Sequence, residues 1–237
     1  MAVRTVDATD LEVVDLETTP LRELNQRLHD LSTAAGPRRW RILNPNGAHA
    51  LACGIDTAVE VEIQGHVGYY CAGMNKLATV RVRGNASTGI AENMMSGLVV
   101  VDGNVSQSAG ATGRGGLLVV RGNASSRCGI SMKGIDIVVG GSVGHMSAFM
   151  AQTGTLVVCG DAGDALGDSI YEARVYVRGS VAGLGADCVV KEMRDEHVDQ
   201  LRRLLEAAEL DADPGDFSRY GSARQLYNFK IDNAGAY

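Results

Sequence analysis

GLLVVRGNASSRCGISM, residues 116–132, decides how this chain folds, because it recurs. Residues 59–75 read VEVEIQGHVGYYCAGMN, residues 78–94 read ATVRVRGNASTGIAENM and residues 135–151 read IDIVVGGSVGHMSAFMA. Each segment carries an apolar alternation, then a glycine, then a small residue two positions on. The anchoring glycines are Gly65, Gly84, Gly103, Gly122, Gly141, Gly160 and Gly179, at intervals of 19 with no insertion. Two residues before them stand Ile63, Val82, Val101, Val120, Val139, Val158 and Val177. Four before stand Val61, Val80, Val99, Leu118, Ile137, Leu156 and Val175, and two after stand Val67, Ala86, Val105, Ala124, Val143, Ala162 and Val181. The residue following each glycine is His66, Asn85, Asn104, Asn123, Ser142, Asp161 or Ser180.

Apolar residues at period two, most of them β-branched, form a strand with one face turned inward. Glycine followed by a short polar residue is turn chemistry, in which glycine accepts positive φ and the polar side chain bonds nearby backbone. One such coil cannot bury its inner face, whereas coils stacked in register bury it against each other. The expected fold is therefore all-β, a parallel β-helix of about seven 19-residue coils with short N- and C-terminal helices. At about 4.8 Å per coil, the six steps span on the order of 30 Å. A propeller blade needs twice this period. A hexapeptide β-helix is also excluded, since 19 is not a multiple of six and no sixfold aliphatic pattern is present.

Further columns follow from the same phase. A second glycine recurs at Gly97, Gly116, Gly134 and Gly154, but is missing at Asn75-Lys76-Leu77 and at Tyr171-Glu172. Met74, Met94, Met132 and Met150 read as core filler, because methionine adapts to gaps. Asn85, Asn104 and Asn123 read as a ladder of stacked turn residues, with a partner-docking ridge as the alternative.

The chain divides into an N-terminal helical segment (1–40), the β-helix (41–190) and a C-terminal helix with an aromatic docking tail (191–237). Thr19 suits a cap and Pro20 the first helical position, while Leu21, Leu24, Leu28 and Leu31 form one apolar stripe that ends at Gly36-Pro37. A degenerate first coil is expected from Ile42, with Asn46 in the glycine phase and Trp40 placed to cap the open end. Val198, Leu201, Leu204, Leu205 and Ala208 predict a helix over 194–210 that covers the last coil. The segment after it holds three of the seven tyrosines and two of the three phenylalanines, a concentration suited to docking.

Composition narrows the function. Thirty glycines with only 5% aromatic residues suit many turns around small aliphatic side chains. A net charge of −6 without a basic run argues against nucleic acid. The longest aliphatic runs, Leu98–Val101 and Leu117–Val120, are far too short for a membrane span. The N-terminal residues carry acids where a signal peptide needs a basic and apolar stretch, so a cytoplasmic location is expected. Residues 59–188 hold 19 charged side chains, a low density for an elongated stack, which suggests faces covered by other subunits. Cys53, Cys71, Cys128, Cys159 and Cys188 form neither a zinc signature nor a disulfide framework and read as small buried side chains.

No catalytic, cofactor-binding or metal residues emerge. The five histidines (His29, His49, His66, His145 and His197) share no phase. Cys71 and Cys128 share one, but three coils separate them by roughly 14 Å. Asp161, Asp164 and Asp168 are compatible with a Ca²⁺ site but read first as solvated loop. Gly110–Gly116, GATGRGG, lacks the G-K-[ST] and the helix of a phosphate loop.

The segments His66–Met74, Arg83–Met94, Arg121–Gly134, Gly160–Asp168 and Arg219–Phe229 resemble the GXGXG-type β-helix domain of the glutamate synthase family. That domain closes the large subunit of bacterial glutamate synthase and occurs as a separate subunit in glutamate synthase-like complexes, including N-methylglutamate synthase. The resemblance implies a right-handed helix, a scaffolding role and no catalytic residue in this chain. It also implies that Arg219–Phe229 is the helical segment ending such domains. No cysteine follows Met1-Ala2, so the implied class II glutamine amidotransferase is a separate subunit. FMN and an iron–sulfur cluster are expected in a flavin-dependent synthase subunit, and a rigid β-helix holds the two centres in register so that ammonia is not lost. The same repeat resembles the β-helical subunit of formylmethanofuran dehydrogenase, a molybdenum or tungsten enzyme. A free-standing carbohydrate-active β-helix is a further alternative, and needs a Ca²⁺-dependent cleft at Asp161–Asp168.

Overall fold

The alternating columns become strands. The computed structural model describes residues 11–32, 36 and 38–225. In chain order these form β1 (Leu11–Asp15), α1 (Leu21–Asp30), β2 (Arg39–Leu43), β3 (Glu60–Gln64), β4 (Thr79–Val82), β5 (Leu98–Val101) and β6 (Leu117–Val120). There follow β7 (Lys133–Val139), β8 (Thr153–Val158), β9 (Arg174–Val177), β10 (Cys188–Lys191), α2 (Asp195–Ala207) and β11 (Ser218–Ser222). β1 to β9 pair consecutively and in parallel, so the chain is a parallel β-solenoid of about seven turns.

From β3 to β9 paired residues lie 19 positions apart, as Val80 and Val99 or Val99 and Leu118 do, except at the start of β7, where a register shift pairs Lys133 with Thr153. The two inward columns named above are at most 1% exposed. A second wall carries the isolated bridges Val67–Ala86–Val105–Ala124–Val143–Ala162–Val181, where large and small side chains alternate up the stack and interdigitate. Between the walls the backbone alternates in sign of φ. Ser108, Gly110 and Thr112 have φ of 60, 66 and 54°, and their N–H groups point in turn to Ser126 O above, Ile90 O below and Ile130 O above. These inter-coil bonds offset the left-handed conformation of the non-glycine residues.

The polar residue after each anchoring glycine forms a ladder running the length of the stack. Asn85 Oδ1 accepts the Asn104 N–H, Asn104 Oδ1 the Asn123 N–H and Asn123 Oδ1 the Ser142 N–H, all at 2.8 Å. Ser142 Oγ and Asp161 Oδ1 continue it to Asp161 and Ser180, at 2.9 and 2.7 Å. In every rung a backbone N–H donates to a side-chain oxygen, and only at the last does a side chain, the Ser180 hydroxyl, donate as well. Asn104→Ala removes one rung and leaves the Asn123 amide unbonded at the corner. The expected loss is about 1 kcal/mol, with faster amide exchange confined to Asn123. Unchanged exchange there would show that the rung contributes nothing.

Several expectations are corrected. The anchoring glycines from Gly84 to Gly179 do not have positive φ; only Gly65 does, at 136°. They are glycines because a Cβ would collide: at Gly103 it would lie 2.2 Å from Asn85 Oδ1 and at Gly141 2.2 Å from Asn123 Oδ1. The ladder and the glycines require each other. The methionines split into two neighbouring columns. Met94 and Met132 are fully buried, but Met74 and Met150 sit at positive φ on the outside, 56% and 46% exposed. Trp40 does not cap the open end. It is a core residue of β2, 3% exposed, and pairs with Val61, 21 residues on. The two extra residues are taken up around Asn44 and Asn46, at φ of 51 and 44°.

The ends also differ from expectation. The N-terminal segment contributes a strand as well as a helix: β1 pairs with β2, and α1 closes the stack beside it. Leu24 and Leu28 enter the main core, Asn25 bonds Ala50 O and the Ala52 N–H, and His29 Nε2 bonds Cys53 O. Pro20 sits at the cap position, one residue before the helix. α2 reaches the last coil only on its outer side. It lies on the outer face of the sheet, where Leu201, Leu205 and Ala208, with Phe217, cover Val100, Val119, Val138, Val157 and Tyr176. Arg219 begins no helix: Ser218–Ser222 is a strand inserted antiparallel between β9 and β10. Tyr220 and Phe217 pack onto this chain's own cores, while Tyr227, Phe229 and Tyr237 lie outside the described residues.

Candidate functional site

The residue types that carry chemistry are mostly engaged with backbone. His49 stacks on Tyr69 at 4.4 Å and its Nδ1 accepts the Tyr69 N–H. His66 Nδ1 accepts the Asn85 N–H, and His145 Nδ1 lies 3.1 Å from Asp164 O. Cys71 and Cys128 fill a core column with Ile90, Ala109, Ser147 and Leu166, and burial pushes the Cys128 thiol up to about 12. Burial raises the Cys188 thiol to about 11. Asp161 accepts the Ser180 N–H and hydroxyl, which hold its carboxyl below the usual range. Asp168 accepts from Ser169 Oγ and the Ala186 N–H. Among the described residues no three His, Cys, Asp or Glu side chains gather as a metal site, and Asp161, Asp164 and Asp168 do not converge. GATGRGG lies in the coil between β5 and β6 and starts no helix.

The two interruptions of the second-glycine column become distinct surfaces. At the first, Leu77 itself takes a positive φ of 71°. Asn75 turns inward into the Met94–Met132 column, and its Nδ2 bonds Ala78 O and Ser96 O at 2.9 and 3.2 Å. Tyr70, Met74, Leu77 and Met95 are exposed along this corner. At the second, Glu172 is held by Arg224 at 3.1 Å, so this interruption meets the chain's own C-terminal segment.

The second interruption also borders a cleft of about 370 Å³ between the end of the sheet and the start of α2. Its walls come from residues 171–174, from Lys191 to His197 and from the β11 segment. They carry Arg174, Lys191, Arg194, Arg219 and Arg224 against only Glu172 and Glu192. Glu172 pairs with Arg224, and Glu192 pairs with Arg194 at 3.1 Å. Arg174 donates to the neutral Gln200 amide and Arg219 to Glu192 O. Partial burial lowers the Arg219 pKa, Arg174 and Arg194 lower it further, and Tyr176 and Glu196 act the other way. The buried His197 imidazole is disfavoured as a cation by burial and by Arg219, and its Nδ1 accepts the Arg194 N–H. Sequence reading missed this cleft because its cations come from three separated segments, none of them a basic run.

The class is defined by the fold: a parallel β-solenoid of 19-residue coils, flanked by α1 at one end and α2 on one side. The chain belongs to the GlxC family. It is 63% identical over 228 residues to Protein GlxC of Rhizobium meliloti (strain 1021), covering 96% of this chain and 100% of that protein. No family model matches the sequence. Among the described residues no helix is long and apolar enough to cross a membrane.

Proposed function

We propose that this chain is the non-catalytic β-helix scaffold subunit of a glutamate synthase-like complex in the cytoplasm. In this reading a class II glutamine amidotransferase subunit releases ammonia. A flavin- and iron–sulfur-dependent synthase subunit consumes it, or an amine, in forming glutamate or N-methylglutamate. The β-solenoid holds the two in register. The observation that carries the reading is the continuous parallel stack from β3 to β9, which extends no long loop on which a separate active site is built. The full-length similarity to GlxC and the resemblance of the repeat to the glutamate synthase domain support it.

The test is isolation of the tagged chain from its native source. The expected preparation contains an amidotransferase and a flavoprotein in fixed ratio, shows flavin and iron–sulfur absorbance, and hydrolyses glutamine. Deleting this chain should leave glutamine hydrolysis in place while product formation falls and ammonia escapes. Elution of the chain alone would overturn the reading. Molybdenum or tungsten without flavin would replace it by the formylmethanofuran dehydrogenase type.

A further inference from the structure

We infer that the cleft between β9, β11, β10 and the start of α2 binds a small doubly charged oxyanion, a phosphate group or a dicarboxylate, between Arg174, Lys191 and Arg219. The inference is independent of the scaffold reading. It starts from one row of the sheet: Tyr176 pairs with Arg219, and Arg219 pairs with Lys191 on the next strand. Two cations therefore stand directly opposite each other across neighbouring strands, an arrangement that destabilises a sheet when left uncompensated. Arg174 lies in the same cleft. Among the described residues no carboxylate forms an ion pair with any of the three.

Another row of arginines in the molecule is compensated by carboxylates. On the outer face of β2 to β6, Arg41, Glu62, Arg83, Asp102 and Arg121 alternate in sign, with contacts of 2.9–3.7 Å, and Glu209 ends the series. The protein as a whole carries a net charge of −6. A surplus of cations concentrated in one recess of an acidic protein is an electrostatic address for an anion.

The shape suits a small ligand. A volume of about 370 Å³ holds about a dozen waters or a compact polyatomic anion with a few of them. Gly221 carries no side chain, and the Lys191 stem lies over it, 3.6–3.8 Å from where a Cβ would be. Two guanidinium groups offer planar paired donors, the geometry that oxyanions accept, and Lys191 adds a point charge. The cleft has little apolar lining suited to a neutral ligand.

The test is calorimetric titration of the purified full-length chain with inorganic phosphate, with succinate and with acetate, at constant ionic strength. Saturable binding of phosphate or succinate, well above any response to acetate, is expected, and the tighter of the two assigns the ligand class. Lys191→Gln/Arg219→Gln should weaken that binding about tenfold or more. Thermal unfolding gives an independent readout. Without anion, Lys191→Gln should melt above the wild type, because the facing pair is relieved, and phosphate should raise the wild-type midpoint more than that of the variant. If the double variant does not fold, Lys191→Gln and Arg174→Gln singly should each weaken binding several-fold. Absence of saturable binding by either dianion, equal binding by acetate, or undiminished binding in the folded variants would overturn the inference.

Discussion

Gly122→Ala should lower the stability of the stack by about 3 kcal/mol, the high end for adding one carbon to a packed site. A Cβ at Gly122 would stand 2.6 Å from Asn104 Oδ1, 2.7 Å from Gly103 O and 2.9 Å from Gly103 C. Only the first obstacle can rotate away. The other two are backbone of the neighbouring coil, which pairs with coils on both sides and has no room to recede. Gly47→Ala is the informative comparison. It has φ of 72° but no atom within 4 Å of the added carbon, so it should cost only about 1–2 kcal/mol, from the left-handed backbone alone. Urea unfolding followed by circular dichroism measures both. Combining Gly122→Ala with Asn104→Ala separates the obstacles, and less than half of the loss should be recovered. A Gly122→Ala protein within about 0.5 kcal/mol of wild type would show that the coils are not held as closely as the geometry requires.

This prediction turns on a point the repeat did not reveal. Glycine at a fixed phase is visible in sequence, but its cause is not, because positive φ and close approach select the same residue. The inward columns were legible, since Ile63, Val82 and their equivalents alternate with polar neighbours in β3 and β4. The outer face of the later strands is legible too. In Leu98–Val101 and Leu117–Val120 the alternation gives way to continuous apolar runs, the mark of strands buried on both faces. The methionines misled because Met74 and Met94 are 20 residues apart, not 19, and one step turns the side chain from solvent to core. Trp40 misled for a related reason. The two-residue expansion at Asn44–Asn46 shifts β2 relative to the repeat, and a one-coil irregularity leaves no periodic trace. The cationic cleft depends on β11 folding back between β9 and β10, a long-range antiparallel insertion that no local pattern encodes.

Val138→Asp should detach α2, with a loss of about 3 kcal/mol or more from burying an unpaired carboxylate. The site belongs to one outer column of the sheet. Arg41, Glu62, Arg81, Val100, Val119, Val138, Val157 and Tyr176 follow one another in register from β2 to β9. The first three are charged and reach solvent, and the rest are buried under Leu201 and Leu205 of α2 and Ala208, which caps it. A carboxylate at Val138, a position with no exposure, has either to lose its charge or to lift the helix away. Lifting is the cheaper route, because α2 is a single helix held on one side. Arg81→Gln, at the same phase on β4, should stay within about 0.5 kcal/mol of wild type, since no helix lies over it. Arg194, which caps α2, and His197 within it line the cleft and Gln200 holds Arg174, so detachment should weaken anion binding in Val138→Asp although residue 138 does not touch the cleft. Limited proteolysis supplies the direct measurement, with cleavage expected within 195–207 in Val138→Asp and not in Arg81→Gln. Protection of α2 in both proteins, together with unchanged urea midpoints, would mean that the helix is held by its ends, not by the apolar column beneath it.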